Sequence, residues 1–329
     1  MVVTKFPNLV KVNLDNLVHN TRVIKSLIGD KEILAVVKSN AYGHGIEEIS
    51  NTLYNEGVNW FGIGNPEDGK HLRDSGFEGN ILAMGSLLPK QIDICVEYGI
   101  DVSISSKVQL DYVSHSANVK KKEAFVQLCI DTGMSRNGLL SIDIEKEISL
   151  ILKELKLDYV SLRGIWTHFA SSDNTDSNLS KSQLEIFSSF LERYTDGDLR
   201  DFVIHHSNTG GVVRKLGILD NLVRPGLSLY GHLPSEKISG LIHDELKPVM
   251  SLHSVLSLVK TIPEGSGVSY GHDFMADNEK RIGIIPIGYF HGLPLGGSGK
   301  ISVGIKGRRY KVLGKICMDQ TIIDLDNNN

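Results

Sequence analysis

The sequence predicts an α/β protein: an N-terminal (β/α)8 TIM-type barrel over residues 1–237, followed by a mostly-β domain over residues 238–329. Three observations carry this prediction. Eight short apolar, β-branched-rich runs recur over roughly 230 residues with helix-like segments between them, which is the rhythm of a parallel barrel. Polar residues collect just after several of these runs, where a barrel places its active-site loops. After Pro248 the chain reads as strands and turns without long intervening helices. A doubly wound open sheet is the competing architecture. The count of eight and the absence of a GxGxxG turn after the first run favour the closed barrel.

The elements follow in order. Leu14, Leu17, Val18, Ile24 and Ile28 keep helical spacing, with Asn13 or Asp15 as N-cap. The eight strand candidates are Ile33–Val37, Trp60–Gly64, Asn80–Met84, Asp101–Ile104, Phe125–Ile130, Ser161–His168, Phe202–His206 and Leu222–Val223. Pro66 and Pro89 each sit where a first helical turn tolerates proline. The longest amphipathic stretches are Asp143–Leu155 and Asn178–Tyr194. In the second domain the strand candidates are Met250–Thr261, Arg281–Ile287, Lys300–Gly304, Arg309–Cys317 and Thr321–Leu325. Pro263-Glu264-Gly265 and Gly296-Gly297-Ser298-Gly299 supply turns.

Composition narrows the function classes. The 329 residues are 41% hydrophobic and 22% charged, ordinary for a globular protein, and the net charge of −4 gives no reason to expect nucleic acid or an anionic membrane as partner. No apolar run has spanning length, and Met1 to Pro7 lacks the apolar core of a secretion signal. Cys95, Cys129 and Cys317 are sparse and far apart, which argues for reduced thiols and a cytoplasmic protein. The twelve histidines show no ligand spacing, so no metal is expected.

The chemistry begins at Lys38, directly after the apolar run Ile33–Val37 and before Tyr42-Gly43-His44-Gly45. Burial disfavours an ammonium, so a lysine at the end of a buried strand suits a Schiff base with a carbonyl compound; a lysine snorkelling outward is the plainer reading. Other run ends carry polar groups: Asp131 to Gly138 with Arg136, then His168, His205 to Gly211, and Arg224 to Gly231. Asn208, Thr209, Gly226 and Leu227 offer hydroxyl and backbone donors after strands seven and eight, the usual phosphate cradle of this fold. Arg136 suits a carboxylate or a surface ion pair, and His168 alone is equally a core histidine.

Seven blocks in order resemble the alanine racemase family, from about residue 10 to Leu325. They are Ala35-Val36-Val37-Lys38-Ser39-Asn40-Ala41-Tyr42-Gly43-His44-Gly45; Asp131-Thr132-Gly133-Met134 with Arg136; Thr167-His168-Phe169-Ala170; Arg224-Pro225-Gly226 with Leu229-Tyr230-Gly231; Val268-Ser269-Tyr270-Gly271; Pro286-Ile287-Gly288-Tyr289; and Cys317-Met318-Asp319-Gln320. The resemblance implies a pyridoxal 5'-phosphate enzyme that interconverts L- and D-alanine and supplies D-alanine for peptidoglycan. It implies Lys38 and Tyr270 as bases on opposite faces of the α-carbon, in a head-to-tail homodimer whose subunits share active sites. A phenol is a poor base at neutral pH, and the resemblance implies that His168 and Arg224 form the relay that activates it. Arg224 also meets the pyridine nitrogen. Tyr42, Asn208, Thr209, Gly226 and Leu227 hold the phosphate, and Arg136 orients a cofactor oxygen or the substrate carboxylate. Met318 and Asp319 lie near that carboxylate, and Tyr289 lines the way in. A serine or broad-specificity racemase and a truncated cofactor-binding paralogue without turnover are the alternatives. A basic amino-acid decarboxylase, which places an acid at the pyridine nitrogen, fits Arg224 poorly.

The chain departs from the family pattern in three places. Cys129 stands where many members carry a lysine, seven residues before the arginine. His291 stands where an aspartate is usual. The family continues for several dozen residues past Leu325, so the β domain is expected to lack its last strands and a phosphate-contacting tyrosine.

Overall fold

The structure is a computed structural model describing residues 7–140, 151, 159–194, 202–217, 219–242 and 245–326. The chain divides into two compact units, Asn13–Val249 and Met1–Val12 with Met250–Asn329. This division differs from the expected break at 237/238. A strand absent from the sequence reading, Leu9–Val12, pairs antiparallel with Met250–His253, which removes the first residues from the barrel unit. The 3-10 turn Glu236–Leu241 stays with that unit, burying Ile238.

The barrel unit opens with α1 (Leu14–Ile28). Its N-cap is Asn13, whose side chain accepts from the Asn16 N–H at 3.0 Å, and Leu17, Ile24 and Ile28 face inward. There follow β1 (Glu32–Val36), α2 (Ile46–Asn55), β2 (Trp60–Ile63), α3 (Pro66–Asp74), β3 (Asn80–Ala83), α4 (Pro89–Glu97), β4 (Asp101–Ile104), α5 (Lys107–Lys120) and β5 (Ala124–Asp131). After β6 (Val160–Trp166) come α6 (Leu179–Tyr194), β7 (Val203–His205), α7 (Thr209–Val213) and β8 (Leu222–Val223). Pro66 and Pro89 each occupy a first turn, where a missing N–H costs nothing. The predicted helix Asp143–Leu155 lies outside the described residues except for Ile151.

The parallel ladder runs 8-1-2-3-4-5-6-7. The Asn221 N–H donates to Ile204 O at 3.1 Å and the Arg224 N–H to Ser207 O at 2.8 Å, drawing β8 against β7 and closing the seam. Covered on both faces, these strands read as continuous apolar runs rather than alternating ones. Leu34, Val36, Trp60, Leu82 and Leu222 pack as one cluster.

The second unit holds β9 (Met250–His253), β10 (Leu258–Ile262), β11 (Gly267–Val268), β12 (Phe274–Met275), β13 (Lys280–Ile285), β14 (Ser302–Ile305), β15 (Arg308–Lys311) and β16 (Thr321–Asp324). β10, β13 and β16 form an antiparallel sheet, while β11–β12 and β14–β15 are hairpins. Ile285, Ile287, Val312, Ile316 and Ile323 form its core. Two expected strands are shorter than their apolar runs. Met250–Thr261 is two strands in different sheets. Arg309–Cys317 leaves its hairpin at Lys311, because Val312 turns to Ile301 O and Leu313 to Ile322 O before Gly314 reverses the chain at φ +62°.

Candidate active site

Lys38 follows β1 by two residues and opens a left-handed turn. Ser39, Asn40, Ala41 and Tyr42 all take φ between 52° and 55°. Four consecutive L-residues in that region cost on the order of 1 kcal/mol each, so the surroundings must hold them. The Ala41 N–H donates to Val37 O at 2.8 Å and the Gly45 N–H to Asn40 O at 3.1 Å. The Asn40 side chain accepts from the Ile46 N–H at 2.8 Å, capping α2. His44 Nδ1 lies 2.9 Å from Ala41 O and 3.0 Å from Tyr42 O, so it carries the proton. Tyr230 stacks near both Tyr42 and His44, with centroids at 4.8 and 4.6 Å, and its hydroxyl donates to Val36 O at 3.0 Å. The turn also corrects an expectation: Lys38 is exposed rather than buried, because left-handed backbone lifts it off the strand end into an open cavity.

That cavity, of about 450 Å³, is lined by Lys38, Tyr42, Arg136, Trp166, His168, Asn208, Thr209, Arg224, Gly226 and Leu227, among others. Every barrel residue expected at the site therefore meets there. Asn208 caps α7, accepting from the Gly211 N–H at 3.1 Å and from the Ser172 hydroxyl. Thr209 Oγ1 accepts from the Gly226 N–H at 3.1 Å, which leaves its own proton to donate. A Cβ on Gly226 would stand 2.8 Å from the Tyr42 hydroxyl, so only glycine keeps this corner open.

Arg224 is the electrostatic centre. It is buried, yet its guanidinium contacts no carboxylate among the described residues. Nη1 donates to His205 Nδ1 at 2.7 Å. Nη2 reaches Thr167 O at 2.7 Å, His168 Nδ1 at 3.1 Å and His206 O at 3.2 Å. The guanidinium also lies 4.9 Å from the Trp166 ring centroid. Burial pulls its pKa down to about 10, so it stays charged at neutral pH. Burial and the charges of Arg224, Arg136 and Lys38 hold His168 down at about 3, and burial with Arg224 holds His205 well below the usual imidazole range. Arginine only donates, so both neutral rings accept at Nδ1 and carry their proton on Nε2.

Arg136 sits in a loop ordered by Asp131, whose Oδ1 accepts from the N–H groups of Gly133, Met134 and Ser135 at 2.9–3.1 Å. Cys129 is buried behind it, its thiol pushed up to about 12 mainly by burial.

The remaining expected residues assemble on the second unit. Tyr270, Tyr289, Met318 and Asp319 are all exposed. Their turns are tied together: Ser269 Oγ donates to Lys315 O at 2.6 Å, the Tyr289 N–H to Cys317 O at 3.0 Å and the Phe290 N–H to Met318 O at 2.9 Å. A Cβ on Gly288 would fall 2.1 Å from Cys317 O, so glycine permits this approach. His291 accepts from the Gly288 N–H at 3.2 Å and closes the turn that carries Tyr289, which gives that departure a structural role.

The sequence reading named His205 only as a polar run end, with no role, and left Gln127 and Asp101 out of the site. Their signal was a polar side chain inside an apolar run, as in Phe125-Val126-Gln127-Leu128. Among the described residues no cluster suits a metal ion, and no helix is long and apolar enough to cross a membrane.

A closed parallel barrel whose loops gather an amine, a buried guanidinium and a cluster of hydroxyl and backbone donors around one cavity has the layout of a barrel enzyme. Comparison with known proteins makes the class specific. The family models "Alanine racemase, N-terminal domain" and "Alanine racemase, C-terminal domain" match residues 12–234 and 249–329. The chain therefore belongs to the alanine racemase family. It is 33% identical over 321 residues to alanine racemase 2 of Caldanaerobacter subterraneus subsp. tengcongensis, covering 97% of this chain and 81% of that protein. It is 35% identical over 315 residues to the alanine racemase of Borreliella burgdorferi, covering 95% and 83%. The crystal structure of the Streptomyces lavendulae alanine racemase superposes with a TM-score of 0.92 at 32% identity, covering 98% of this chain and 84% of that one. A histidine racemase from Leuconostoc mesenteroides subsp. sake shares the architecture at TM-score 0.85 and 27% identity, covering 99% and 87%.

Proposed function

We propose that this chain is a pyridoxal 5'-phosphate-dependent racemase that interconverts L- and D-alanine, supplying the D-enantiomer for peptidoglycan. The observation that carries the reading is the convergence of Lys38, Arg224 and the Thr209–Gly226 cradle on one cavity. The residues fit the cofactor. The cradle offers hydroxyl and backbone donors to a phosphate, and Lys38 offers an amine to a carbonyl. Arg224 brings a buried cation whose other contacts are neutral acceptors. When bound, the cofactor supplies the electron sink that makes an amino-acid α-proton removable.

The chain's own residues then divide the work. Tyr42, Thr209 and the N–H groups near Gly226 and Leu227 would anchor the phosphate. Arg224 would meet the ring nitrogen as a hydrogen-bond donor that keeps its own proton, a partner that would restrain charge delocalisation and with it decarboxylation and transamination. Lys38 Nζ takes the α-proton from one face while Tyr270, contributed by a second copy of the chain, delivers one from the other. His168, neutral with its proton on Nε2, links that phenol to Arg224. Arg136 orients the carboxylate, and Met318, Asp319 and Tyr289 frame the approach. The test is interconversion of alanine enantiomers by the full chain with added pyridoxal phosphate. Lys38→Ala should lose it entirely, and Tyr270→Phe should lose exchange on one face only. Equal exchange from both enantiomers in Tyr270→Phe refutes the two-base assignment. The likeness to a histidine racemase supports a second reading, a wider substrate range. Initial rates across alanine, serine and histidine separate the two.

A further inference from the structure

Behind Arg224 a line of buried polar groups runs through the barrel interior. His205 Nε2 lies 2.7 Å from Gln127 Oε1. Gln127 Nε2 donates to Asp101 Oδ2 at 2.8 Å, and Asp101 Oδ1 accepts from Arg163 Nη1 at 2.9 Å. His205, Gln127 and Asp101 are each no more than 1% exposed. We infer that Gln127 is a positioning residue for the active site: it fixes the tautomer of His205 and thereby the place of the Arg224 guanidinium.

The inference follows from donor and acceptor arithmetic. Arg163 only donates and the Asp101 carboxylate only accepts. Gln127 must therefore turn its amide nitrogen to Asp101 and its carbonyl to His205. A carbonyl only accepts, so His205 carries its proton on Nε2 and presents a lone pair at Nδ1. Arg224 only donates and needs that lone pair. Reversing the amide would set its oxygen against the carboxylate and its nitrogen against His205, move the imidazole proton to Nδ1, and face it with a guanidinium N–H. One proton arrangement satisfies all five groups.

The backbone is built to admit this line. The pairing of β5 with β6 slips between Val126 and Gln127: Val126 faces Leu162, but Gln127 faces Gly164, leaving Arg163 as the extra residue of a bulge. A Cβ on Gly164 would lie 3.0 Å from Gln127 Oε1 and 2.7 Å from Val203 O, so glycine makes the space for the amide. His205 is held further by the Trp166 ring, stacked at 5.7 Å with an interplanar angle of 6°. Arg163 is held by the face of Phe125, 3.5 Å from its centroid. Burial raises Asp101 to about 6, against the pull of Arg163, Gln127 and Arg73, so it is ionised at neutral pH as the arrangement requires.

The consequence for Arg224 as cofactor partner rests on the proposed function; the tautomer does not. The experiment is two-bond 1H–15N correlation on the full chain labelled at histidine, before and after addition of pyridoxal phosphate, with His205 assigned by its loss in His205→Gln. The wild type should show His205 as the Nε2–H tautomer, unchanged from pH 7.5 to 9. Gln127→Met removes the acceptor of the Nε2–H while Arg224 still holds Nδ1, so the Nε2–H proton signal should move upfield or be lost to exchange, and pyridoxal phosphate binding should weaken about tenfold, with circular dichroism unchanged. If Gln127→Met does not fold, Asp101→Asn, which frees the amide to reverse and takes its oxygen from the Nε2–H, should give the same change in the Nε2–H proton signal. An Nδ1–H ring in the wild type, or an unmoved Nε2–H proton signal in a folded Gln127→Met or Asp101→Asn protein, overturns the inference. Because the tautomer is read without turnover, a chain inactive on alanine would refute the proposed function and leave this result standing.

Discussion

Asn40 tests whether the left-handed turn after Lys38 is held as described. Its side chain does two separable things: Oδ1 caps α2 through the Ile46 N–H at 2.8 Å, and its backbone sits at φ 54°. Asn40→Ala loses both. The hydrogen bond to the first helical N–H contributes about 1 kcal/mol, and alanine in the left-handed region costs about another 1 kcal/mol relative to residues that favour it. The total of about 2 kcal/mol corresponds to a fall in Tm of roughly 4–8 °C for a unit of this size. Asn40→Gly loses the cap but keeps the left-handed backbone free of strain, so it should recover about half of the loss. Thermal unfolding followed by circular dichroism on both variants provides the comparison. Binding of pyridoxal phosphate should weaken in the same order, since the turn aims Lys38 and Tyr42. If Asn40→Ala proves as stable as Asn40→Gly, the four residues do not hold positive φ in the folded protein and the account of Lys38's exposure fails.

Other outcomes can be checked independently. Gly226→Ala should reduce pyridoxal phosphate affinity at least tenfold with little loss of stability, because the new methyl meets the Tyr42 hydroxyl at the cradle; titration followed by cofactor absorbance reads this. Iodoacetamide at pH 8 should modify Cys317, which is half-buried, while Cys95 and Cys129, both pushed up to about 12 by burial, stay intact until the chain unfolds; mass spectrometry of digests distinguishes them. Acid should destabilise the fold. His168 and His205 are depressed, so below about pH 6.5 the unfolded chain binds two protons the folded one refuses, and stability falls as pH falls. Asp101, raised to about 6, works the other way between roughly pH 6 and 4. Two groups against one leave a net loss near 1.4 kcal/mol per pH unit across that interval, measurable by urea unfolding at pH 6, 5 and 4; a flat profile would show that the histidines are not buried neutral.

Much of this was legible in the sequence for identifiable reasons. Strands covered on both faces are continuous apolar runs, so eight of them could be counted, and Asn13, Pro66 and Pro89 marked helix starts because caps are local chemistry. Distant partners were not legible. Leu9–Val12 alternates too briefly to declare a strand, and its partner lies at Met250–His253. Met250–Thr261 is one apolar stretch in sequence, and only its pairings divide it. Within the site, Lys38 was placed correctly in the chain but not in its environment, because positive φ at Ser39, Ala41 and Tyr42 runs against local propensity. Gln127 and Asp101 were passed over because each is a polar residue within a mostly apolar strand, and their meaning depends on Arg163 reaching Asp101 across a bulge.

The charge arrangement bears on which chemistry the barrel can support. Lys38, Arg136 and Arg224 all line the cavity, and both imidazoles that touch Arg224 are held neutral. A ligand entering this field must be anionic to balance it, which suits a phosphate and an amino-acid carboxylate together. The Arg224 guanidinium is held in place through neutral acceptors alone, at His205, Thr167, His168 and His206. A carboxylate partner would have fixed the guanidinium more strongly, but it would also have cancelled the charge the site presents. Neutral acceptors fix its direction and leave its charge for the ligand, which is why the proton position on His205 matters as much as its presence.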